Sequence, residues 1–75
     1  MTRGQEVKAR PAGGSWVKAR ADFISGNGRS VLLSADEGLP LGLVDTGTGR
    51  QVLLLTRDGD AWLDVASGGK FEVEE

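Results

Sequence analysis

The sharpest chemical string in the chain is Leu41-Gly42-Leu43-Val44-Asp45-Thr46-Gly47, in which an apolar run delivers one aspartate into a glycine turn. A carboxylate so placed does acid–base work when a second carboxylate shares its proton, so a second copy of the chain would have to complete the pair. A different cluster is cationic. Lys8, Arg10, Lys18 and Arg20 flank Trp16, and cations beside an exposed indole can neutralise phosphates while the ring stacks on a base. With no His and no Cys in the chain, disulfides and the commonest zinc ligand sets are excluded, and no metal or cofactor is expected. Ser34 has no evident base partner and reads as a loop serine. Gly68-Gly69-Lys70 lacks the spacing and the following helix of a phosphate loop, so it reads as a turn.

The elements that must position these residues are strands. Seven short stretches that can extend are separated by Pro11-Ala12-Gly13-Gly14, Gly26-Asn27-Gly28, Glu37-Gly38, Thr46-Gly47-Thr48-Gly49, Asp58-Gly59 and Ser67-Gly68-Gly69. Asn-Gly and Asp-Gly are strong hairpin signals, because glycine supplies the positive φ that tight turns demand. No stretch carries a 3.6-residue apolar period long enough for an ordinary helix. The expectation is one all-β domain over residues 1–75, with 1–4 flexible, in which a twisted antiparallel meander rolls into a small barrel or sandwich.

Side chains alternate faces along a strand, so each turn sets the phase of the next segment. Closing the first hairpin at Pro11–Gly14 puts Lys8 opposite Lys18 and Glu6 opposite Arg20. From Trp16 onward, Val17, Ala19, Ala21 and Phe23 form the expected inner phase. An Asn27-Gly28 turn sets Ile24 against Val31 and Phe23 against Leu32, which makes Phe23 and Leu32 core. A turn centred on Asp58-Gly59 pairs Leu55 with Trp62, Leu54 with Leu63 and Val52 with Val65, adding Val52, Leu54, Leu63 and Val65 to the core. The loop Thr46–Gly49 pairs Asp45 with Arg50 and Leu43 with Val52, turning Leu41 and Leu43 inward. A three-residue loop at Ser67–Gly69 pairs Val65 with Phe71 and Leu63 with Val73. Residues 34–40 carry no clean period and are treated as a crossover.

This reading leaves Ile24, Val31, Leu33, Leu53, Leu55 and Trp62 on the outer phase. Contiguous exposed apolar surface marks an interface, although the same residues would form a second core layer if the sheet folds onto itself. Leu53, Leu55, Trp62, Ile24 and Val31 are therefore the candidate protein interface, together with an open sheet edge.

Two resemblances bear on these strings. Asp45-Thr46-Gly47 after an apolar strand resembles the catalytic turn of the retroviral-type aspartic proteases. Here, however, Thr48-Gly49-Arg50 leads straight into another strand, and the family's later elements are missing, so no enzyme is expected. Gly14-Ser15-Trp16-Val17-Lys18-Ala19-Arg20, Gly26-Asn27-Gly28, Val31-Leu32-Leu33 and Asp45-Thr46-Gly47 together resemble the run of a Tudor or SH3-like barrel over about residues 14–54. The resemblance implies a small barrel. It does not extend to a methyl-ligand cage, because the chain has no Tyr and Thr46 stands where that family has an aromatic wall.

Charge is polarised along the chain. Through residue 30, six cations face only Glu6 and Asp22, a net of +4, whereas the remainder holds three cations and nine carboxylates, a net of −6. No leader segment and no run of the order of 18 apolar residues is visible, so a cytoplasmic protein without membrane contact is expected. The sequence thus predicts a non-catalytic binding or assembly module that contacts a protein partner or itself as a homo-oligomer. Nucleic-acid binding through Lys8, Arg10, Trp16, Lys18 and Arg20 is the alternative.

Overall fold

The computed structural model describes residues 1–35, 44–45 and 51–75. Its strands are β1 (Glu6–Pro11), β2 (Val17–Ile24), β3 (Ser30–Ala35), β4 (Val44–Asp45), β5 (Gln51–Asp58), β6 (Ala61–Asp64) and β7 (Lys70–Glu74). All pairings are antiparallel, in the order β3-β2-β1-β7-β6-β5-β4, and β3 also pairs with β5. That last ladder closes β1, β2, β3, β5, β6 and β7 into a six-stranded barrel. Closure removes the unpaired edges that an open sheet would expose. The open edge expected as part of an interface is therefore not found among these six strands. Among the described residues no helix is long and apolar enough to cross a membrane.

The first hairpin has the expected register, with Glu6 opposite Arg20 and Lys8 opposite Lys18. In the second, Phe23 pairs with Leu32 and Ile24 with Val31, again as expected, but the next pair along is Ala21 with Leu33. Asp22 is thus an extra residue on β2, a β-bulge, and a bulge reverses the face on which the following side chains lie. Ala19 and Ala21 point inward, and beyond the bulge Ile24 points inward while Phe23 points out.

β3 follows this reversal through its pairing with β2, and on β5 and β6, whose faces are reckoned separately beyond residues 34–40, the observed faces are also the opposite of those expected. Val31, Leu33, Leu53, Leu55 and Trp62 are interior, each 9% exposed or less, while Phe23, Leu54 and Val65 are exposed. The expected core of Phe23, Leu32, Val52, Leu54, Leu63 and Val65 is corrected accordingly. Val7, Ala9, Ala35 and Phe71 complete the buried apolar set. Each fully buried leucine contributes about 1.5–3 kcal/mol by leaving water.

Three further registers differ from expectation. At the β5–β6 turn Asp58 pairs with Ala61 and Arg57 with Trp62, so the loop residues are Gly59-Asp60, with Gly59 at φ 61°. Positive φ at the first loop position is the requirement of a type II′ hairpin, and it moves the turn by one residue. Phe71 pairs with Trp62 instead of Val65. The reason is Asp64, whose buried carboxylate accepts hydrogen bonds from the Ala66 amide (3.0 Å) and the Ser67 hydroxyl (2.6 Å) and so lengthens the β6–β7 turn. On β4, Asp45 pairs with Gln51 instead of Arg50.

Residues 1–4 make two hydrogen bonds to β2. The Gly4 amide donates to Ala21 O (2.7 Å) and Arg3 Nε to Asp22 O (3.2 Å).

Candidate functional site

Reversal of the faces exchanges the two apolar sets. The side chains assigned to an interface, Leu53, Leu55, Trp62, Ile24 and Val31, line the interior, which is the second-layer alternative. No partner can reach Leu53, Leu55 or Val31, which are 0–1% exposed. The outward set takes their place. Phe23 is opposite Leu32, Leu32 is opposite Leu54, and the Val65 amide donates to Leu54 O (3.0 Å). These four residues form one row perpendicular to the strands, and Phe23, Leu54 and Val65 in it are 53%, 41% and 56% exposed. Direct cross-strand neighbours have Cβ atoms roughly 4.5–5.5 Å apart, so the row is continuous apolar surface and not four isolated residues.

The local cause of the row is the bulge. Without Asp22 as an extra residue, Phe23 would continue the inward phase of Ala19 and Ala21. Asp22 is fixed by its ion pair with Arg20 (3.2 Å) and by the bond from Arg3 to its carbonyl. The turn that follows is equally ordered. The Asn27 carboxamide oxygen accepts from the Arg29 amide (3.0 Å) and the Ser25 hydroxyl (2.7 Å), and the Ser25 hydroxyl accepts from the Ser30 amide (3.0 Å). Phe23 and Leu32 are thus presented on a hairpin whose turn is closed by its own side-chain hydrogen bonds. Two adjacent large apolar residues, Phe23-Ile24, ending a strand of otherwise clean alternation are the sequence signal that announces such a break.

The five residues of the basic hairpin do converge on one outer surface. Lys8 faces Lys18 across the β1–β2 ladder, and Arg20 lies one step further along β2. Trp16 is 38% exposed, and the Arg10 guanidinium carbon sits 4.4 Å from its ring centroid. The same surface is answered by carboxylates, because β7 lies against β1 with Glu74 opposite Lys8 and Glu72 opposite Arg10. Arg10 Nη2 meets Glu72 Oε2 at 3.1 Å. Closure of the barrel therefore brings the acidic end of the chain against its basic beginning.

Asp45 lies on β4, whereas Thr46 and Gly47 fall outside the described residues, as does the expected Leu41–Leu43 inner phase. Among the described residues no group of three or more carboxylates gathers as a metal site. Comparison with protein-family models, curated proteins and solved structures finds no match.

Proposed function

We propose that this small barrel is a non-catalytic assembly module that acts through protein–protein contact, in the first place with further copies of itself. The observation that carries the reading is the outward row Phe23, Leu32, Leu54 and Val65. A 75-residue chain has a small core, and covering exposed apolar surface in a complex adds stability that the monomer lacks. The row crosses β2, β3, β5 and β6, three of the six steps around the ring. It thus extends around about half of the circumference and offers itself to neighbours from more than one side. Contact through the six ring strands is made by side-chain packing, since the closed ring has no edge to lend to a partner strand. The likeness to SH3-like barrels bears on the fold and adds nothing to the choice of partner.

The test is sedimentation of the wild type against Leu54→Lys over a range of protein concentrations and at low and high salt. Association through apolar contact persists in high salt and is abolished by the substitution.

A second reading, nucleic-acid binding, has one observation in its favour. Lys8 and Lys18 are direct cross-strand neighbours, a like-charge pair that is unfavourable in isolation and is relieved by a bound phosphate. Glu72 and Glu74 on the adjoining strand oppose it.

A further inference from the structure

The end of the barrel that carries the turns at Gly28 and Gly59 is not filled to its rim. A cavity of about 220 Å3 opens there, walled by Ile24, Val31, Trp62 and Val73 and bordered by Arg57 and Glu75. Alternation explains this composition. The interior positions of β5 run Leu53, Leu55, Arg57, and those of β7 run Phe71, Val73 and then Glu75, so each series ends in a charge at the mouth.

The two charges are not in the same state. Glu75 is paired with the Met1 ammonium at 2.7 Å. Arg57 makes no ion pair among the described residues. Its Nε donates to Gly59 O (3.1 Å), and its guanidinium carbon lies 5.1 Å from the Trp62 ring centroid. The hydrogen bond and the indole hold the group at the mouth, with both Nη nitrogens left to donate.

A void of about 150 Å3 is large enough for benzene, so a cleft of this size, open at the rim and edged by the polar groups of Met1, Arg57 and Glu75, admits a small organic molecule. We propose that this mouth is a binding site for a small carboxylate with an aromatic or branched aliphatic body. The body packs on Ile24, Val73 and the exposed part of the Trp62 ring, and the carboxylate accepts from both Nη groups of Arg57 in the bidentate geometry that guanidinium favours. A cation would meet Arg57 directly, and a neutral ligand would leave its two donors unused. The site is independent of the outer row, because its apolar side chains face the barrel interior and those of the row face outward.

The test uses the full chain with phenylacetate as probe and phenylacetamide as its neutral counterpart, followed by NMR shifts of the Trp62 indole and of the Ile24 and Val31 amides. Saturable shifts at these positions are expected with the acid, and binding of the amide at least tenfold weaker. Arg57→Gln, at an exposed side chain whose loss leaves the core intact, should bring the acid down to the amide's affinity. Ile24→Phe should obstruct both probes. The proposal is overturned by the absence of saturable shifts, by equal affinity for acid and amide, by a preference that survives Arg57→Gln, or by shifts confined to the Lys8 and Lys18 surface.

Discussion

Phe23 and Leu32 are direct cross-strand partners on the outer surface of the barrel, and the extra residue Asp22 is what puts them there. Their neighbours Ile24 and Val31, one position away, are partners on the inner surface. A single bulge thus decides which of two apolar sets is core and which is contact surface.

The first prediction separates the two sets. Leu55→Ala deletes most of a side chain that is 0% exposed and should cost about 2–5 kcal/mol, whereas Phe23→Ser should change the stability of the dilute monomer by no more than about 0.5 kcal/mol. Urea unfolding at low protein concentration measures both. Equal losses in the two variants would mean that the faces are assigned wrongly.

Leu55→Lys extends the same logic to a charge. Placed in the interior beside Leu53 and Leu33, an ammonium has no partner and the fold should be lost outright. A folded Leu55→Lys protein, seen by circular dichroism and dispersed amide shifts, contradicts the interior placement.

How much of this was legible in the sequence can be judged from the turns. The β1–β2 register follows from the glycines at 13 and 14, and the β2–β3 register from Asn27-Gly28, because each turn leaves one closure that suits its hydrogen bonds. The faces beyond Ala21 were harder to read, since Asp22 interrupts alternation without a glycine or proline and leaves only the doubled Phe23-Ile24 as its trace. That residue therefore reverses the reading of β3, whereas the faces of β5 and β6 are assigned separately, because residues 34–40 carry no period that links them to β3. Asp58-Gly59-Asp60 admits two turn placements that differ by one residue, and the sequence favours neither. The β6–β7 register depends on Asp64 binding the Ala66 amide and the Ser67 hydroxyl, an interaction between a buried carboxylate and its own turn that composition does not reveal. The closing ladder of β3 on β5 joins segments on either side of residues 36–50, where no periodic signal points to it.

Turn chemistry supplies a third prediction. Gly28 and Gly59 have φ of 72° and 61°, and a Cβ built on either meets nothing within 4 Å, so a substitution there is resisted by backbone conformation alone. Gly28→Val and Gly59→Val should each cost on the order of 1 kcal/mol or more, with Gly→Asn tolerated better because Asn enters that region more readily. Thermal unfolding of the four variants provides the measurement. No difference between Val and Asn at either site would contradict the turn assignment.

The basic hairpin yields a fourth. With Glu72 and Glu74 beside Lys8 and Arg10, the wild type should be retained on single-stranded oligonucleotides weakly or not at all at low salt, and Glu72→Gln with Glu74→Gln should increase retention. Strong wild-type retention that Lys18→Glu with Arg20→Glu abolishes would instead establish the nucleic-acid reading.

The account rests on the outward row as a contact surface, and the most direct measurement of it is sedimentation equilibrium of the wild type beside Leu54→Lys, each shown to be folded. The account predicts a wild type whose mass rises with concentration at both low and high salt, and a variant that stays monomeric throughout. A wild type that is monomeric at every concentration, or a Leu54→Lys variant that associates as readily as the wild type, would contradict it.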